Sequence, residues 1–448
     1  MITPSLYAGR TVAVMGLGRS GQSAVRALRS AGARVLPWDD MEAARAKLET
    51  VNLNDCDFAE IDTLMWSPGI PHTLPTSHPV AERARAAGTR VVCDVEMLAE
   101  AQPQARFVGI TGTNGKSTTT ALIGHILKKA GLPVDVGGNL GIPALDLEPM
   151  GAEGTYVLEM SSYQLELLEE AEFDIALLLN VSPDHLGRHG GMQGYIDAKT
   201  RIFRGSSVAI VGMDDEYSRS VYGMLSARKD VKVVPISAEG VAAQGVYALD
   251  GILYDDGFRV LDLTRVRALP GRHNWQNAAA AYAAAKACGV DSKAITSAIE
   301  SFPGLPHRQE FVASIRGVSF VNDSKATNAD AAEKALTCYE RIYWIAGGQA
   351  KEGGIVPLEP YFPRIAHAFL IGEAAPAFAQ TLTGKASFTM SGDLATAVAQ
   401  AAKMAAGDRG AVVLLSPACA SWDQFKSFEH RGDVFRDLVR DLMKGELK

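Results

Sequence analysis

Short apolar runs recur along the whole chain, and each one leads into a glycine-rich or polar turn that is followed by a helical pattern. The runs with their turns are TVAVMG, ARVLPWD, IDTLMWSPGI, TRVVCDVE, FVGITG, TYVLEM, DIALLLN, GVSFVND, RIYWIAGG, HAFLIGE and AVVLLSP. Strands that alternate with helices are typical of parallel βαβ units. The pattern therefore predicts an α/β fold.

The chain has 448 residues, which is too long for a single hydrophobic core. The first strand–helix series closes near Asp94, and a second ends where two prolines and a glycine interrupt FPGLPHR at 302–308. We therefore predict three α/β domains with the ranges 1–94, 95–303 and 304–448.

The segment FVGITGTNGKSTTT predicts a phosphate-binding loop between a strand and a helix. Its spacing is the short form G-x-x-G-K-S, because Ile110 stands where the longer pattern requires glycine. Backbone N–H groups, the helix N-terminus and a lysine ammonium would neutralise phosphates, and a serine hydroxyl could hold Mg²⁺. A glycine turn before a surface helix is the alternative. The candidate phosphate-binding residues are Gly112, Thr113, Asn114, Gly115, Lys116, Ser117 and Thr118.

A second glycine motif, GLGRSG at 16–21, follows the first strand, and Asp39 ends the next strand. Such glycines permit a tight turn near a pyrophosphate, and an acid about 20 residues later commonly binds a ribose hydroxyl. This fingerprint makes an NAD-dependent oxidoreductase a competing interpretation.

Polar residues follow the strands of the second segment, where ligands of parallel sheets bind. Glu159 ends one strand and His185 follows another, so we expect both to converge with Lys116 and Ser117 at one sheet edge. A carboxylate there could be a Mg²⁺ ligand, direct or through water, or simply an acid at a helix N-terminus.

The segment YIDAKTRIFR predicts a helix whose Tyr195, Lys199, Ile202 and Phe203 share one face. A lysine on an apolar stripe usually extends its ammonium to water. If Lys199 is instead desolvated, its pKa falls, and the neutral amine becomes a nucleophile or a site for carbon dioxide addition.

Two further polar segments have open interpretations. GRHNWQN, with Asn277, begins an alanine-rich helix and either contacts a nucleotide or only caps the helix. Asn322, Asp323, Ser324 and Lys325, together with Lys351, are either site residues or solvated turn residues.

Composition narrows the function classes. The net charge is −7 and the basic residues are not clustered, which argues against nucleic acid and favours small anionic partners. The five cysteines are far apart and odd in number, so neither a disulfide framework nor a zinc site is indicated, and a reducing cytoplasm fits. With no apolar run of about 18 residues and no signal-peptide pattern, we expect neither membrane insertion nor secretion.

In order along nearly the whole chain, GTNGKST, LEMSSYQLE, NVSPDHL, GRHNWQN, GLPHRQE, VNDSKATN, GGQAKEGG and SPACASWDQFKSFEHRG resemble the Mur ligase family. The resemblance implies a Rossmann-like N-terminal domain, a central phosphate-loop ATPase domain with a mostly parallel sheet, and a Rossmann-like C-terminal domain. It also implies a cytoplasmic, monomeric enzyme that uses ATP and two Mg²⁺ ions to add D-glutamate to UDP-N-acetylmuramoyl-L-alanine through an acyl phosphate.

The resemblance assigns roles to individual residues. Catalysis falls to Lys116, Glu159, His185 and Lys199, with metal ligation by Ser117, Glu159, His185 and a carbamylated Lys199. ATP would be bound by the phosphate loop together with Asn277, Arg308 and Asp323. The UDP substrate would be bound by Gly18, Arg19, Ser20, Asp39, Ser67, Gly69, Asn139 and His185. D-glutamate would be bound by Lys351, Thr327, Ser421 and Phe428, and Lys325 would help to hold phosphate or substrate.

Two positions depart from the family pattern. Asp40-Met41 replaces a basic residue that is expected after Asp39, and Gln349 stands where an acid is common. Two alternatives to D-glutamate ligation stay open besides the oxidoreductase. One is a sister ligase that adds another amino acid, and the other is a nucleotide-gated binding protein that has lost catalysis.

Overall fold

A computed structural model describes residues 1–46, 48–139, 141–350 and 353–446. The chain forms two compact units. The first comprises Met1–Leu263 and Asn274–Ser301, and the second comprises Thr264–His273 and Phe302–Lys448. In the described ranges, the helices are all too short or too polar to cross a lipid bilayer.

The first unit contains a small, wholly parallel sheet near the N-terminus. Within the described residues its strand order is β2-β1-β3-β4. The strands are β1 (Thr11–Met15), β2 (Arg34–Trp38), β3 (Thr63–Trp66) and β4 (Arg90–Val92). The strand order reverses between β1 and β3, and ligands of such open parallel sheets bind at this point.

The same unit contains a larger sheet with the order β13-β12-β11-β10-β9-β8-β5-β7-β6. It is parallel from β11 to β6, while β12 and β13 pair antiparallel at one edge. The strands are β5 (Arg106–Thr111), β6 (Val134–Gly138), β7 (Thr155–Glu159), β8 (Ile175–Leu178), β9 (Val208–Gly212), β10 (Lys232–Ser237), β11 (Val246–Leu249), β12 (Ile252–Asp255) and β13 (Phe258–Asp262).

The second unit has a sheet with the order β14-β15-β19-β16-β17-β18, in which only the β14–β15 pairing is antiparallel among the described strands. The strands are β14 (Glu310–Ile315), β15 (Val318–Asn322), β16 (Ile342–Gly347), β17 (Ile365–Ile371), β18 (Phe388–Gly392) and β19 (Val412–Leu415). This arrangement places the ends of β15, β19 and β16 side by side.

The α-helices alternate with these strands and cover the sheets. They are α1 (Arg19–Ser30), α2 (Glu42–Arg45), α3 (Pro79–Ala87), α4 (Asp94–Ala101), α5 (Lys116–Lys129), α6 (Ser162–Glu166), α7 (Leu186–His189), α8 (Met192–Thr200), α9 (Glu216–Ser226), α10 (Arg272–Ala287), α11 (Ser292–Glu300), α12 (Ala329–Leu336), α13 (Ala375–Leu382), α14 (Leu394–Ala405) and α15 (Phe428–Glu446).

The central strands explain why the apolar runs are continuous rather than alternating. Every residue of β3, β8 and β19 is buried, because helices cover both faces of a parallel sheet. The predicted α/β class with three mostly parallel sheets is confirmed. Each sheet falls inside one predicted domain range, but the ranges themselves stay a prediction. The segment Thr264–His273, which belongs to the second unit, lies outside the range predicted for the C-terminal domain.

A buried carboxylate ties the two sheets of the first unit together. Glu96, in the first turn of α4, is fully buried and accepts hydrogen bonds from the backbone N–H groups of residues 169, 170 and 171 at 3.0, 2.8 and 3.2 Å. It also accepts from the Arg90 guanidinium at 2.9 Å, and Arg90 lies in β4. Because the charge is fully paired, this carboxylate fixes the loop after α6 against the small sheet.

We predict that Glu96→Gln destabilises the first unit by about 2–4 kcal/mol, because an amide cannot accept all of these donors and leaves Arg90 underpaired. Urea unfolding followed by tryptophan fluorescence measures this loss. The matched control is Glu169→Gln, which also removes a carboxylate bonded to Arg90, at 2.5 Å, but at a side chain that is 45% exposed. Its expected cost is at most about 1 kcal/mol. Equal small effects of both substitutions would contradict the anchoring role.

Candidate active site

The predicted phosphate loop lies between β5 and α5, as the strand–turn–helix pattern required. Gly112 and Gly115 have φ angles of 151° and 83°, which favour glycine. A Cβ atom at Gly115 would also lie 2.2 Å from the Asn277 side-chain oxygen. The loop can therefore keep this path only with glycine at both positions.

Two lysine side chains meet on one carbonyl oxygen of this loop. Lys116 Nζ donates to the Gly112 carbonyl at 2.8 Å and to the Thr113 carbonyl at 2.8 Å. Lys199 Nζ, from α8, donates to the same Gly112 carbonyl at 2.8 Å and lies 3.4 Å from Thr111 Oγ1. Two amine nitrogens thus share an acceptor at the point where the loop begins.

Lys199 does not extend to water. It is 1% exposed, and its Nζ lies 4.6 Å from the centre of the Tyr195 ring. Burial, reinforced by the Lys116 charge, lowers the pKa of Lys199 well below its usual value, which favours the neutral amine. Helix α8 ends at Thr200 and the chain continues as a 3-10 turn, yet Ile202 and Phe203 are buried as the predicted face required.

Neighbouring side chains brace the loop. The Tyr195 hydroxyl lies 3.2 Å from Thr113 Oγ1, and Asn180 bonds to the backbone of Asn114 through both its oxygen (2.8 Å) and its nitrogen (3.2 Å). Thr119 Oγ1 donates to the Asn277 oxygen at 3.3 Å. The loop is therefore braced by contacts to α8 and to the segment after β8, and the first turn of α5 is braced by a contact to α10. Of its predicted residues, Ser117 is buried and Thr118 is half-buried.

Glu159 ends β7 and is 3% exposed. Its Oε1 accepts from Asn139 Nδ2 at 2.6 Å, whereas its buried Oε2 has no hydrogen-bond partner among the described residues. The following helix is already capped, because Ser161 and Gln164 form a complete capping box. Glu159 is therefore not needed to cap this helix, which favours its interpretation as a metal ligand.

The donor set suits Mg²⁺ rather than a metal held entirely by protein. In the part of the chain that the structure describes, no group of three or more His, Cys, Asp or Glu side chains is arranged around a metal position. Mg²⁺ usually takes one or two carboxylates and completes its shell with phosphate oxygens and water. The orphaned oxygen of Glu159 fits that requirement.

His185 lies at the start of α7 with a left-handed φ of 53°. Its side chain is 51% exposed, lies 3.4 Å from the Asp184 carboxylate and stacks at a tilt on Tyr163, with ring centres 5.1 Å apart. Among described residues, its contacts do not include Glu159 or Lys199. The expected convergence of His185 with these residues therefore stays a prediction.

A polar network beside His185 was not predicted. His189 is buried, its Nδ1 lies 2.7 Å from Glu166, and its Nε2 lies 2.9 Å from Ser162 Oγ. The Arg188 guanidinium covers the Tyr163 ring at 4.3 Å. These residues lie within or next to LEMSSYQLE and NVSPDHL, but their pairing is non-local, so the motifs alone gave no signal for it.

The N-terminal glycine motif forms the tight turn that the pattern required. Gly16 has a φ of 90°, and a Cβ atom at Gly21 would lie 1.8 Å from the Gly16 carbonyl oxygen. Gly18 is the residue that precedes α1, and Arg19 and Ser20 form its first turn. The exposed Gly18 and Arg19 and the half-buried Ser20 thus lie at a positive helix end.

Asp39 supports this turn from the end of β2. One carboxylate oxygen accepts from the Leu17 N–H at 2.7 Å, and the other accepts from the Met41 N–H at 2.9 Å. Ser67 Oγ donates to the Gly16 carbonyl at 3.0 Å, and the exposed Gly69 lies on the same loop. Gly18, Ser20, Asp39 and Ser67 are therefore brought close together around one turn.

In the second unit, residues 322–324 are buried, so the solvated-turn interpretation is wrong for them. Asp323 accepts from the Gln309 N–H at 3.1 Å and from Ser416 Oγ at 2.8 Å. Burial raises the pKa of Asp323 to about 7, against smaller lowering effects of the Ser416 and Gln309 hydrogen bonds and of the Arg308 charge. The carboxylate is therefore held in place but poorly hydrated.

Of the remaining predicted residues of this unit, Thr327 lies in the segment after β15, Ser421 lies in the segment after β19, and Phe428 begins α15. Thr327 is half-buried, Ser421 is buried, and the Phe428 ring lies 5.3 Å from the Lys325 ammonium. Lys351 lies outside the described residues. The Gln349 N–H donates to the Ala420 carbonyl at 2.9 Å, so this departure from the family pattern keeps a backbone link between two loops.

Comparison with known proteins identifies the family. A model of the Mur ligase middle domain matches residues 110–285, and a model of the Mur ligase glutamate ligase domain matches residues 307–419. A UDP-N-acetylmuramoylalanine--D-glutamate ligase of Paramagnetospirillum magneticum is 56% identical, with 99% of both chains covered. An enzyme of the same name from Caulobacter vibrioides is 51% identical, over 99% of this chain and 98% of that protein.

Solved structures share the fold at lower identity. The UDP-N-acetylmuramate-alanine ligase of Thermotoga maritima matches with a TM-score of 0.58 and 18% identity, over 96% of this chain and 99% of that one. The UDP-N-acetylmuramoylalanyl-D-glutamyl-2,6-diaminopimelate--D-alanyl-D-alanyl ligase of Acinetobacter baumannii matches with a TM-score of 0.57 and 19% identity, over 98% and 92%.

These matches run through the phosphate loop, Lys199 and the polar loops of the second unit, which the NAD-dependent oxidoreductase alternative left unexplained. The matches to curated relatives cover nearly the full length of both chains, and the Mur ligases are a family of ATP-dependent ligases. The chain belongs to the Mur ligase family.

Proposed function

We propose that this protein joins D-glutamate to UDP-N-acetylmuramoyl-L-alanine with cleavage of ATP to ADP and phosphate, a step of peptidoglycan precursor synthesis. Relatives that carry this name at 56% and 51% identity support the choice of amino acid over a sister ligase. The structural observation that carries the phosphoryl-transfer part is the convergence of Lys116 and Lys199 on the Gly112 carbonyl.

The reaction needs an activated carboxylate. An oxygen of the alanine carboxylate attacks the γ-phosphorus of ATP, the bond to the bridging oxygen breaks, and ADP leaves. The D-glutamate amine then attacks the acyl carbon of the acyl phosphate, inorganic phosphate leaves, and the nitrogen loses a proton to give the amide. The chain must therefore hold several anionic groups together and keep water away from the acyl phosphate.

The phosphate loop is suited to the first requirement. Its backbone N–H groups and the N-terminus of α5 present positive charge. Lys116 adds an ammonium group, which donates hydrogen bonds to two carbonyl oxygens of the loop in the absence of ATP. We infer that phosphate oxygens replace these carbonyl contacts when ATP binds. By family resemblance, Asn277 and Arg308 contact ATP, and Asp323 binds the ribose.

We further propose that two Mg²⁺ ions bind at this loop. Ser117 and Glu159 would hold one, and Glu159, His185 and the modified Lys199 would position the other. When bound, Mg²⁺ offsets the charge that develops on the transferring phosphoryl group. The unpartnered Oε2 of Glu159 and its contact to Asn139 support this assignment.

A carbamate on Lys199 would turn a nitrogen donor into oxygen ligands. The neutral amine attacks carbon dioxide, an N–C bond forms, and one proton is released to give –NH–COO⁻. The burial of Lys199 and the nearby Lys116 charge both favour the neutral amine that this step requires. The resulting negative charge would also remove the repulsion between the two side chains.

The other substrates are assigned to the remaining polar loops. We propose that Gly18, Arg19, Ser20, Asp39, Ser67 and Gly69 bind the uridine diphosphate part, with Asn139 and His185 nearer its reacting end. We propose that Thr327, Ser421 and Phe428 bind D-glutamate, together with Lys351, whose role stays a prediction. A monomeric, cytoplasmic enzyme fits these small-molecule partners.

The test of this function is phosphate release by the purified protein with ATP, Mg²⁺ and UDP-N-acetylmuramoyl-L-alanine. We expect release with D-glutamate, and at most background release with L-glutamate, L-alanine or diaminopimelate. Preferential release with one of the other amino acids would assign the protein to a sister ligase. No release with any amino acid would favour a binding protein that has lost catalysis.

We predict that Lys199→Ala lowers kcat by at least about 10³-fold while leaving the Kd for ATP within about threefold, because its role is to shape the metal site. Steady-state kinetics and nucleotide titration measure the two quantities. Short carboxylic acids should partly restore activity by replacing the carbamate. The control is Lys129→Ala, at the exposed end of α5, which should retain wild-type kcat. Wild-type activity in Lys199→Ala would contradict the carbamate proposal.

The raised pKa of Asp323 predicts a pH dependence of stability. A carboxyl whose pKa rises from 3.8 to about 7 on folding contributes stability at low pH that is lost as the pH rises through this window. Between pH 5 and pH 8, the stability of the wild type relative to Asp323→Asn should therefore fall, by up to about 3 kcal/mol. Thermal unfolding of both proteins across this range measures the difference, and a pH-independent difference would contradict the raised pKa.

A further inference from the structure

A buried arginine lies behind the proposed D-glutamate residues. Arg431, in the first turns of α15, has an exposed fraction of 0% and is one of the largest fully buried side chains. A guanidinium is rarely placed in a protein interior unless its five N–H donors are satisfied. The hydrogen-bond partners of Arg431 therefore indicate the role of this side chain.

Arg431 binds two loops through neutral acceptors. Its Nε donates to Ser324 Oγ at 3.0 Å, and one terminal nitrogen donates to the Ser324 carbonyl at 2.8 Å and to the Cys419 carbonyl at 3.1 Å. The other terminal nitrogen donates to the Ala420 carbonyl at 3.3 Å. Ser324 Oγ in turn donates to the Phe428 carbonyl at 2.8 Å, which closes the network onto the start of α15.

These loops follow neighbouring strands of one sheet. Ser324 follows β15 and Cys419 follows β19, and β16 lies next to β19. The loop after β16 joins the same network, because the Ala420 carbonyl also accepts from the Gln349 N–H, and a Cβ atom at Gly348 would lie 3.1 Å from an Arg431 nitrogen. One side chain therefore sets the relative positions of three strand ends.

The guanidinium forms no ion pair with the residues that the structure describes. The described residues place no carboxylate within ion-pair distance of Arg431, and its hydrogen bonds go to carbonyl and hydroxyl oxygens. Burial lowers the pKa of Arg431 to about 10, which leaves it protonated at neutral pH. The Asp423 charge offsets this burial only in part. Because burying a guanidinium outside an ion pair costs stability, a role beyond stability is indicated.

We propose that Arg431 is a positioning residue for D-glutamate. It fixes the loops that carry Thr327 and Ser421 and the N-terminal turn that carries Phe428, and its charge offsets the two carboxylates of the incoming amino acid. The inference rests on the proposed function, because it assumes that these loops bind D-glutamate. Arg431 acts through the loops rather than by touching the reacting atoms.

The test compares the KM values of the three substrates in Arg431→Lys. Lysine keeps the charge but cannot reproduce the planar set of hydrogen bonds. We expect the KM for D-glutamate to rise at least tenfold, while the KM values for ATP and UDP-N-acetylmuramoyl-L-alanine stay within twofold. The matched control is Arg440→Lys on the same helix, whose side chain is 62% exposed and lies 3.3 Å from Asp437. It should leave all three KM values unchanged.

Ser324→Ala provides a second variant that removes the acceptor of Arg431 Nε without removing the charge. We expect a rise of about three- to tenfold in the KM for D-glutamate alone, so the inference stays testable if Arg431→Lys does not fold. An unchanged KM for D-glutamate in the folded variants, or an equal rise for all three substrates, would overturn it. Because wild type and Arg440→Lys are assayed alongside, failure of these two with D-glutamate would instead count against the proposed function.

Discussion

The arrangement of the candidate active site depends on two lysine side chains that share one carbonyl oxygen. Lys116 and Lys199 both donate to the Gly112 carbonyl, and Lys199 does so from a position closed to water. Two ammonium groups that share one acceptor in a poorly hydrated site would repel one another, and Lys199 is therefore favoured as the neutral amine. The site is therefore poised to take up negative charge, either as phosphate on the loop or as a carbamate on Lys199.

Other side chains at this edge of the central sheet support the two lysines and the phosphate loop. Tyr195 supports Lys199 with its ring and reaches the loop with its hydroxyl, and Asn180 holds the loop backbone from the end of β8. Glu159 ends β7 with one carboxylate oxygen bonded to Asn139 and the other without a partner in the described structure. The strand ends thus supply oxygen ligands beside a cationic loop, which is the combination that ATP and Mg²⁺ require.

Much of this could be predicted from the sequence, because the informative signals were local. The phosphate loop followed from the spacing of Gly112, Gly115 and Lys116 after an apolar strand. The place of Lys199 on an apolar helix face left its burial open, because a lysine there usually extends its ammonium to water. The helix itself was shorter than predicted, since α8 ends at Thr200, but the 3-10 turn preserved the burial of Ile202 and Phe203.

What the sequence could not predict were pairings between distant segments. Arg431 lies in the motif SPACASWDQFKSFEHRG, but the motif gave no role for this residue. Its burial arises only when the ends of β15 and β19 pack beside α15. Asp323 likewise resembled a turn residue until Gln309 and Ser416 enclosed it. In both cases a charged group is buried where loops must keep a fixed arrangement, and tertiary structure alone decides that.

The most direct measurement of the central claim is ¹³C NMR of the purified protein equilibrated with ¹³C-labelled bicarbonate. If Lys199 is held neutral and adds carbon dioxide, a carbamate resonance should appear in the wild type, disappear on acidification, and be absent from Lys199→Ala. A resonance that persists in Lys199→Ala, or no carbamate signal in an active wild-type enzyme, would contradict the claim that Lys199 is neutral and carries a carbamate.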